Sequence, residues 1–266
     1  MHQAFDTIAS GYDASFTHSL IGMAQREIVW RYLKHSFGNK KALNILELNS
    51  GTGEDALWFT KEGHKVLATD ISEKMIGIIG EKIDDSDLSS HIRIMKLDIR
   101  EIESVKFEEK FDLIFSNFGG MNCISPEEIN GLPAVLSRLL MPKGRLIMVI
   151  MPKYCIWETK YFLLKLNPKK AFRRYADTGT IAKLSGQEFN TSYYNPAQIK
   201  KMFDKYFNVI ASKPVGFFIP PSYLEKFFES KRKTFNILKK LEDLITNLSY
   251  LASFSDHYLI DFQVKE

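Results

Sequence analysis

The chain has 266 residues, 45% of them apolar, and a formal net charge of +4, enough for one α/β domain with additions around a sizeable core. No apolar run approaches the ~20 residues of a membrane span, and the start Met1–Asp6 lacks the basic-then-apolar layout of a signal peptide, so a cytoplasmic protein is expected. Two cysteines, Cys123 and Cys155, stand without metal-ligand spacing; they argue against a disulfide framework and a zinc site, and no metal is expected.

In chain order, Ile21 to Phe37 shows helical spacing, with Ile28, Val29, Tyr32 and Leu33 on one stripe, and Gly38-Asn39 stops it. Asn44 to Leu48 reads as a buried strand. It runs into Asn49-Ser50-Gly51-Thr52-Gly53, a turn that opens a helix from about Glu54 to Glu62, closed by Gly63. Reversal within so few residues needs backbone that glycine or asparagine tolerates, and the missing side chains let a ligand touch the main chain. Such a turn is a nucleotide cradle. Lys65 to Thr69 is the next strand and ends in Asp70, 17 residues past Gly53, where dinucleotide-type folds place a ribose-gripping acid. Gly51-x-Gly53-x-x-Ala56 also satisfies the looser dinucleotide fingerprint, so an NAD-dependent oxidoreductase is open at this point.

Ser72 caps a further helix, His91 to Leu97 alternates as a strand ending at Asp98, and Phe111 to Asn117 is the fourth strand. Pro126 to Leu140 is a helix, and Met141-Pro142-Lys143-Gly144 turns it into the apolar strand Arg145 to Met151. After Pro152 comes a basic, aromatic-rich insert. A helix opening at Asn195-Pro196, a strand from Phe207 to about Pro214, a second insert from Pro220 with a long amphipathic helix, and a last strand His257 to Val264 complete the chain. The alternation predicts an α/β fold, a mostly parallel sheet with ligands at the carboxyl ends of its strands. One domain over 1–266 is expected, with an N-terminal lid at 1–40 and cap inserts at 152–192 and 220–252. The inserts together carry +7, leaving the remainder negative, which would draw an anionic substrate, an acidic lipid surface or nucleic acid to the cap.

Glu47-x-Asn49-x-Gly51-x-Gly53, Asp70, Asp98 and Asn117, each at the end of its strand, resemble the class I S-adenosylmethionine-dependent methyltransferases. That resemblance implies a Rossmann-like seven-stranded sheet whose last strand is antiparallel, flanked by helices. Asn49 stands where the family has its first glycine, and asparagine is the next most tolerant residue of left-handed backbone. By the same resemblance Gly51 and Gly53 would line S-adenosyl-L-methionine and Glu47 would organise the turn. Asp70 would accept both ribose hydroxyls, Asp98 would hold the adenine amino group, and Ile71, Ile99 and Asn117 would complete the contacts. The opening Phe5-Asp6-x-Ile8-Ala9-x-x-Tyr12-Asp13 looks like that of quinone-type C-methyltransferases and their small-molecule relatives, where it forms part of a lid; Tyr12 would then touch the cofactor. Tyr193-Tyr194-Asn195-Pro196 and Asp256-His257-Tyr258 look like later landmarks of the same group.

The implied reaction is methyl transfer to a small lipophilic or aromatic acceptor, with or without negative charge, oxygen being the favoured atom. A non-catalytic cofactor-binding scaffold of the same fold is the alternative. In this fold the antiparallel last strand begins at the ligand edge, which makes His257 either a general base or substrate ligand, or a structural histidine beside Asp256. The first insert mixes Trp157, Tyr161, Phe162 and Phe172 with Lys169, Lys170, Arg173 and Arg174. That mixture suits a lipophilic acceptor or a peripheral contact with an acidic membrane, and equally an amphipathic cap with a solvated face. A charge of +5 is weak for a nucleic-acid surface, and the oligomeric state is not legible.

Overall fold

The computed structural model describes residues 2–38, 42–84, 89–176, 179–184 and 187–266, with backbone only at 2–4, 182–184 and 187–189. Helix α1 (His2–Tyr12) passes through a π-turn at Asp13–Thr17 into α2 (Leu20–Phe37), capped by Ser19, whose Oγ accepts from Gly22 N at 3.0 Å. Asn39, half of the expected stop after α2, lies outside the described residues. There follow β1 (Asn44–Leu48), α3 (Glu54–Lys61), β2 (Lys65–Asp70), α4 (Glu73–Asp84), β3 (Ile92–Lys96), β4 (Phe111–Ser116), α5 (Pro126–Leu139) and β5 (Leu140–Ile150). A full capping box of Ser125 and Glu128, with proline at the first position, fixes where α5 starts.

These strands, with β8 (Phe207–Val215) and β9 (His257–Val264), form one sheet in the order β3-β2-β1-β4-β5-β9-β8. Every pair from β3 to β5 is parallel, and only β9 runs against its neighbours. Helices cover both faces of the central strands, and successive side chains of a strand face opposite ways, so each strand feeds two cores. Thus Leu46 and Leu48 join the core under α5 and α8 (Pro196–Phe203), while Ile45 faces the core under α2 and α3. Strand β5 starts earlier than its apolar run suggests, since Leu140 already pairs with Phe111 across a bulge.

The first insert holds α6 (Ile156–Leu164), α7 (Pro168–Ala171) and a hairpin, β6 (Thr180–Leu184) with β7 (Gln187–Thr191), that the sequence reading left out. Buried Asn122 fastens this region to the sheet, donating from Nδ2 to the carbonyls of Ser192 at 2.7 Å and Met151 at 3.1 Å. The second insert contains α9 (Glu225–Glu229) and α10 (Arg232–Ile245), which lie beside α2 and β8 through Phe228, Phe235 and Leu238. Glu242 of α10 accepts four backbone N–H groups, from Gly216, Phe217, Phe218 and Ile219, at 2.6 to 3.1 Å, and so fixes the loop after β8. No helix among the described residues is long and apolar enough to cross a membrane.

Candidate active site

The carboxyl ends of β1, β2, β4 and β5, the start of β9 and the loop after β8 meet at one edge of the sheet. There β1 turns into α3 through three left-handed residues, Asn49 (φ 56°), Gly51 (55°) and Gly53 (79°). Gly53 has a second reason to lack a side chain, because a Cβ there would sit 2.9 Å from Ile79 Cγ1 of α4. Asn49 supports its strained backbone by turning its amide away, onto Ser116 Oγ at 3.3 Å. A Cβ on Gly120 would fall 2.5 to 2.7 Å from that side chain, so Asn49 and Gly120 fit each other.

Asp70 ends β2 with Oδ2 accepting from Gly51 N and Oδ1 from Ser72 N, both at 2.9 Å. Burial outweighs these bonds and raises its carboxyl to about 6. Each oxygen keeps lone pairs beyond the one amide it binds, so a vicinal diol could still be accepted. Ile71 follows, half-buried, while Ile99 belongs to the core beneath a 3₁₀ turn that Asp98 caps. Both oxygens of Asp98 are engaged by Arg100, whose Nε lies 2.9 and 3.0 Å from them, and this pairing holds the carboxyl below its usual range. Glu47 is buried with Oε2 unpartnered; burial, with Asp55 and Asp70 nearby, pushes its carboxyl well above the usual value. The Asn117 amide donates to Asp55 Oδ2 at 3.0 Å. The Asn117 side chain is thus used at both polar atoms, its Oδ1 accepting from Phe118 N, while Asn49 commits only its Nδ2.

The N-terminal segment lies over this cradle. Asp13 Oδ1 accepts from Thr52 Oγ1 at 2.5 Å and Oδ2 pairs with Lys82 Nζ at 2.6 Å, while Lys82 also donates to Thr52 O at 2.9 Å. Burial opposes ionisation of Asp13, but Lys82 and Thr52 prevail and hold it below the usual carboxylate range. Asp6 accepts from Ser72 Oγ at 2.5 Å. Between these fastenings Tyr12 approaches Gly51, and burial pushes its hydroxyl up to about 12, so it stays protonated at neutral pH.

Rings continue from Tyr12 to Phe16 (5.5 Å), Phe118 (6.1 Å) and His257 (5.3 Å between centroids). His257 Nδ1 lies 3.2 Å from Asp256 Oδ2, at ion-pair distance but without the alignment of a full hydrogen bond. Asp256 also accepts from Gln25 Nε2 at 3.2 Å and from Arg174 at 2.8 Å, and Arg174 binds Glu158 at 3.0 Å. Burial works against the Asp256 charge; His257 and Arg174 overcome it and hold the carboxyl well below its usual value.

Residues 45–144 match the family model of the methyltransferase domain. That stretch of the chain is similar to a methyltransferase domain. Among relatives, the ubiquinone/menaquinone biosynthesis C-methyltransferase UbiE of Idiomarina loihiensis is 27% identical over 150 residues, 54% of this chain and 56% of that protein. The demethylmenaquinone methyltransferase of Clavibacter sepedonicus is 27% identical over 144 residues, 54% of each chain. The matched region thus spans little more than half the length of these relatives. Solved structures share the whole fold at low identity. The CcbJ methyltransferase from Streptomyces caelestis has a TM-score of 0.63 at 14% identity, covering 99% of this chain and 98% of its own. The magnesium protoporphyrin IX methyltransferase ChlM from Synechocystis, with bound SAH, has a TM-score of 0.61 at 14% identity over 99% and 98%.

Arg26 and Phe118 of this site escaped the sequence reading, and Arg174 was read only as part of the basic rim of the first insert. Arg26, within α2, is 6% exposed and pairs with Asp55, which also accepts from Trp30 Nε1 at 2.6 Å. Its guanidinium lies 5.2 Å from the Phe118 ring centre, and its Nε is buried without a partner. Phe118 holds its ring in the site through left-handed backbone (φ 39°), costly for an aromatic residue. Arg174 bridges the insert to the last strand. An arginine inside an apolar helical stripe was the available signal for Arg26.

Proposed function

We propose that this methyltransferase moves a methyl group from S-adenosyl-L-methionine to the oxygen of a small, largely apolar acceptor bearing a phenolic or similar hydroxyl. The reading is carried by the gathering, at one sheet edge, of a ribose-type carboxylate, a buried arginine with an unpaired N–H, and a histidine set against a carboxylate. The cradle suits the cofactor. Asp70 would take the ribose hydroxyls, Arg26 and Tyr12 would meet the amino-acid carboxylate, and Asp98 would take the adenine amino group on yielding part of its bond to Arg100. When bound, the cofactor supplies a sulfonium-activated methyl group, so the protein need only align the acceptor, exclude water and remove a proton.

His257 is suited to the last task. The ionised Asp256 beside Nδ1 favours the tautomer with its proton there, which leaves the lone pair on Nε2, a nitrogen with no bond to the described residues. Phe16 and Phe118 supply apolar walls against which an aromatic acceptor packs. Arg173 and Arg174 are already matched to Glu158 and Asp256, which favours an acceptor that enters neutral over a carboxylate. Arg174, Asp256 and Gln25 act as positioning residues for the imidazole. The catalytic and cofactor-contact roles rest on this proposal, as does the transfer atom.

Thermal shift tests the cofactor half: stabilisation by S-adenosylhomocysteine supports the assignment, stabilisation by NAD alone supports the oxidoreductase, and neither refutes nucleotide binding. Transfer of a labelled methyl group to members of a phenol panel tests catalysis. Binding without transfer to any of them would leave the scaffold reading.

A further inference from the structure

The cap insert ends in a feature that the methyl-transfer site does not use. Helix α6 starts beside the buried cluster, with Glu158 beneath Arg174, and runs outward to Leu163, Leu164, Lys165 and Leu166. Its end is a complete Schellman motif, with Asn167 N donating to Phe162 O and Leu166 N to Leu163 O, both at 2.9 Å. The residue after the helix cap in that motif adopts left-handed backbone and is most often glycine. Here it is Leu166, at φ 54°, with 91% of its surface exposed; Leu164 beside it is 86% exposed. A strained leucine displayed to water serves neither backbone nor core.

Around the two leucines stand Lys160, Lys165, Lys169 and Lys170, all exposed, and from 153 to 176 the only acidic side chain is Glu158, which is buried and bound to Arg173 and Arg174. From Lys160 to Lys170 the exposed side chains are therefore all apolar or cationic. Lys165 and Lys170 lie over Tyr161 and Phe162, 4.8 and 5.7 Å from the ring centres, which keeps their charges beside the leucines.

We propose that the α6 tip docks on an acidic lipid bilayer, Leu164 and Leu166 entering the headgroup–acyl boundary and the lysines meeting anionic headgroups. A second copy of the same tip is a poor partner, because the lysines would face one another. A nucleic acid would match the charge but give the leucines nothing to enter. Docked this way, the enzyme holds the cluster around His257 about one short helix, 9 residues at ~1.5 Å each, from the lipid surface. Lipophilic acceptors partition into that surface.

Co-sedimentation of the full chain with phosphatidylglycerol–phosphatidylcholine vesicles tests this. Binding is expected with these vesicles, weaker at 0.5 M salt, and at least about tenfold weaker with phosphatidylcholine alone. Leu166→Gly relieves the left-handed strain and so leaves the melting temperature equal or higher, yet it should weaken vesicle binding roughly tenfold, as should Leu164→Ser. Lys169→Glu/Lys170→Glu should abolish the preference for anionic vesicles. Absence of binding to anionic vesicles, or binding that survives Leu164→Ser/Leu166→Gly, overturns the proposal. So does sedimentation velocity showing a dimer that the same variant dissolves. Titration with S-adenosylhomocysteine should be unchanged in all these variants, which separates failure of the docking surface from failure of the methyltransferase reading.

Discussion

Asp70 sits in a conflict between folding and ligand binding that can be measured. Burial raises its carboxyl from 3.8 to about 6. For the free protein this means that the folded state holds the proton more tightly than the unfolded chain. Ionising it therefore costs stability, none below the usual value and up to about 3 kcal/mol above pH 6, at 1.36 kcal/mol per pH unit. The side chain would make the apoprotein less stable as pH rises from ~4 to ~6, the reverse of a salt-bridged carboxylate. Ribose hydroxyls donate to the charged form and should reclaim that cost. At pH 5 about a tenth of the carboxyl is ionised in the free protein, so affinity for S-adenosylhomocysteine should fall roughly tenfold between pH 7.5 and pH 5. Calorimetric titration across this range checks it. In Asp70→Asn the pH dependence should vanish and affinity drop by ~10²- to 10⁴-fold, from two charge-assisted hydrogen bonds of about 1.5–3 kcal/mol each. A flat profile in the native protein, or an Asn variant binding as tightly, would refute the reasoning.

Replacing His257 with Asn should lower kcat/KM by ~10²- to 10⁴-fold at pH 7.5 while leaving S-adenosylhomocysteine binding within a few-fold; loss of both together would make it structural. Arg26→Lys keeps the charge on Asp55 but removes the unpaired Nε–H, and should weaken product binding about tenfold with little change in melting temperature. Arg145 pairs with fully buried Asp261, which also accepts from Tyr32 at 2.5 Å. Arg145→Met should cost about 3–5 kcal/mol in urea unfolding, and a loss below 1 kcal/mol would show that Asp261 is neutral when buried.

What the sequence determined is local. The apolar strands, the stop at Gly63, the Ser72 cap and the left-handed run Asn49, Gly51, Gly53 follow from periodicity and from backbone that few residues tolerate, so each was visible within a dozen positions. The alternation then dictated a parallel sheet and the edge where Asp70 and His257 both stand. Tertiary structure decided which distant charges meet. Arg26 of α2 reaches Asp55 of α3, and Arg174 reaches Asp256 from 82 residues away, pairings that leave no periodic trace because they depend on how separate elements meet at the sheet edge. The β6–β7 hairpin escaped for a related reason: its two five-residue strands pair with each other outside the main sheet, so neither carries the long apolar run by which a core strand is read. Helix α10 likewise declared an apolar stripe, but only the fold shows that Phe235 spends it beside α2 and β8, while Glu242 holds the loop after β8 in place.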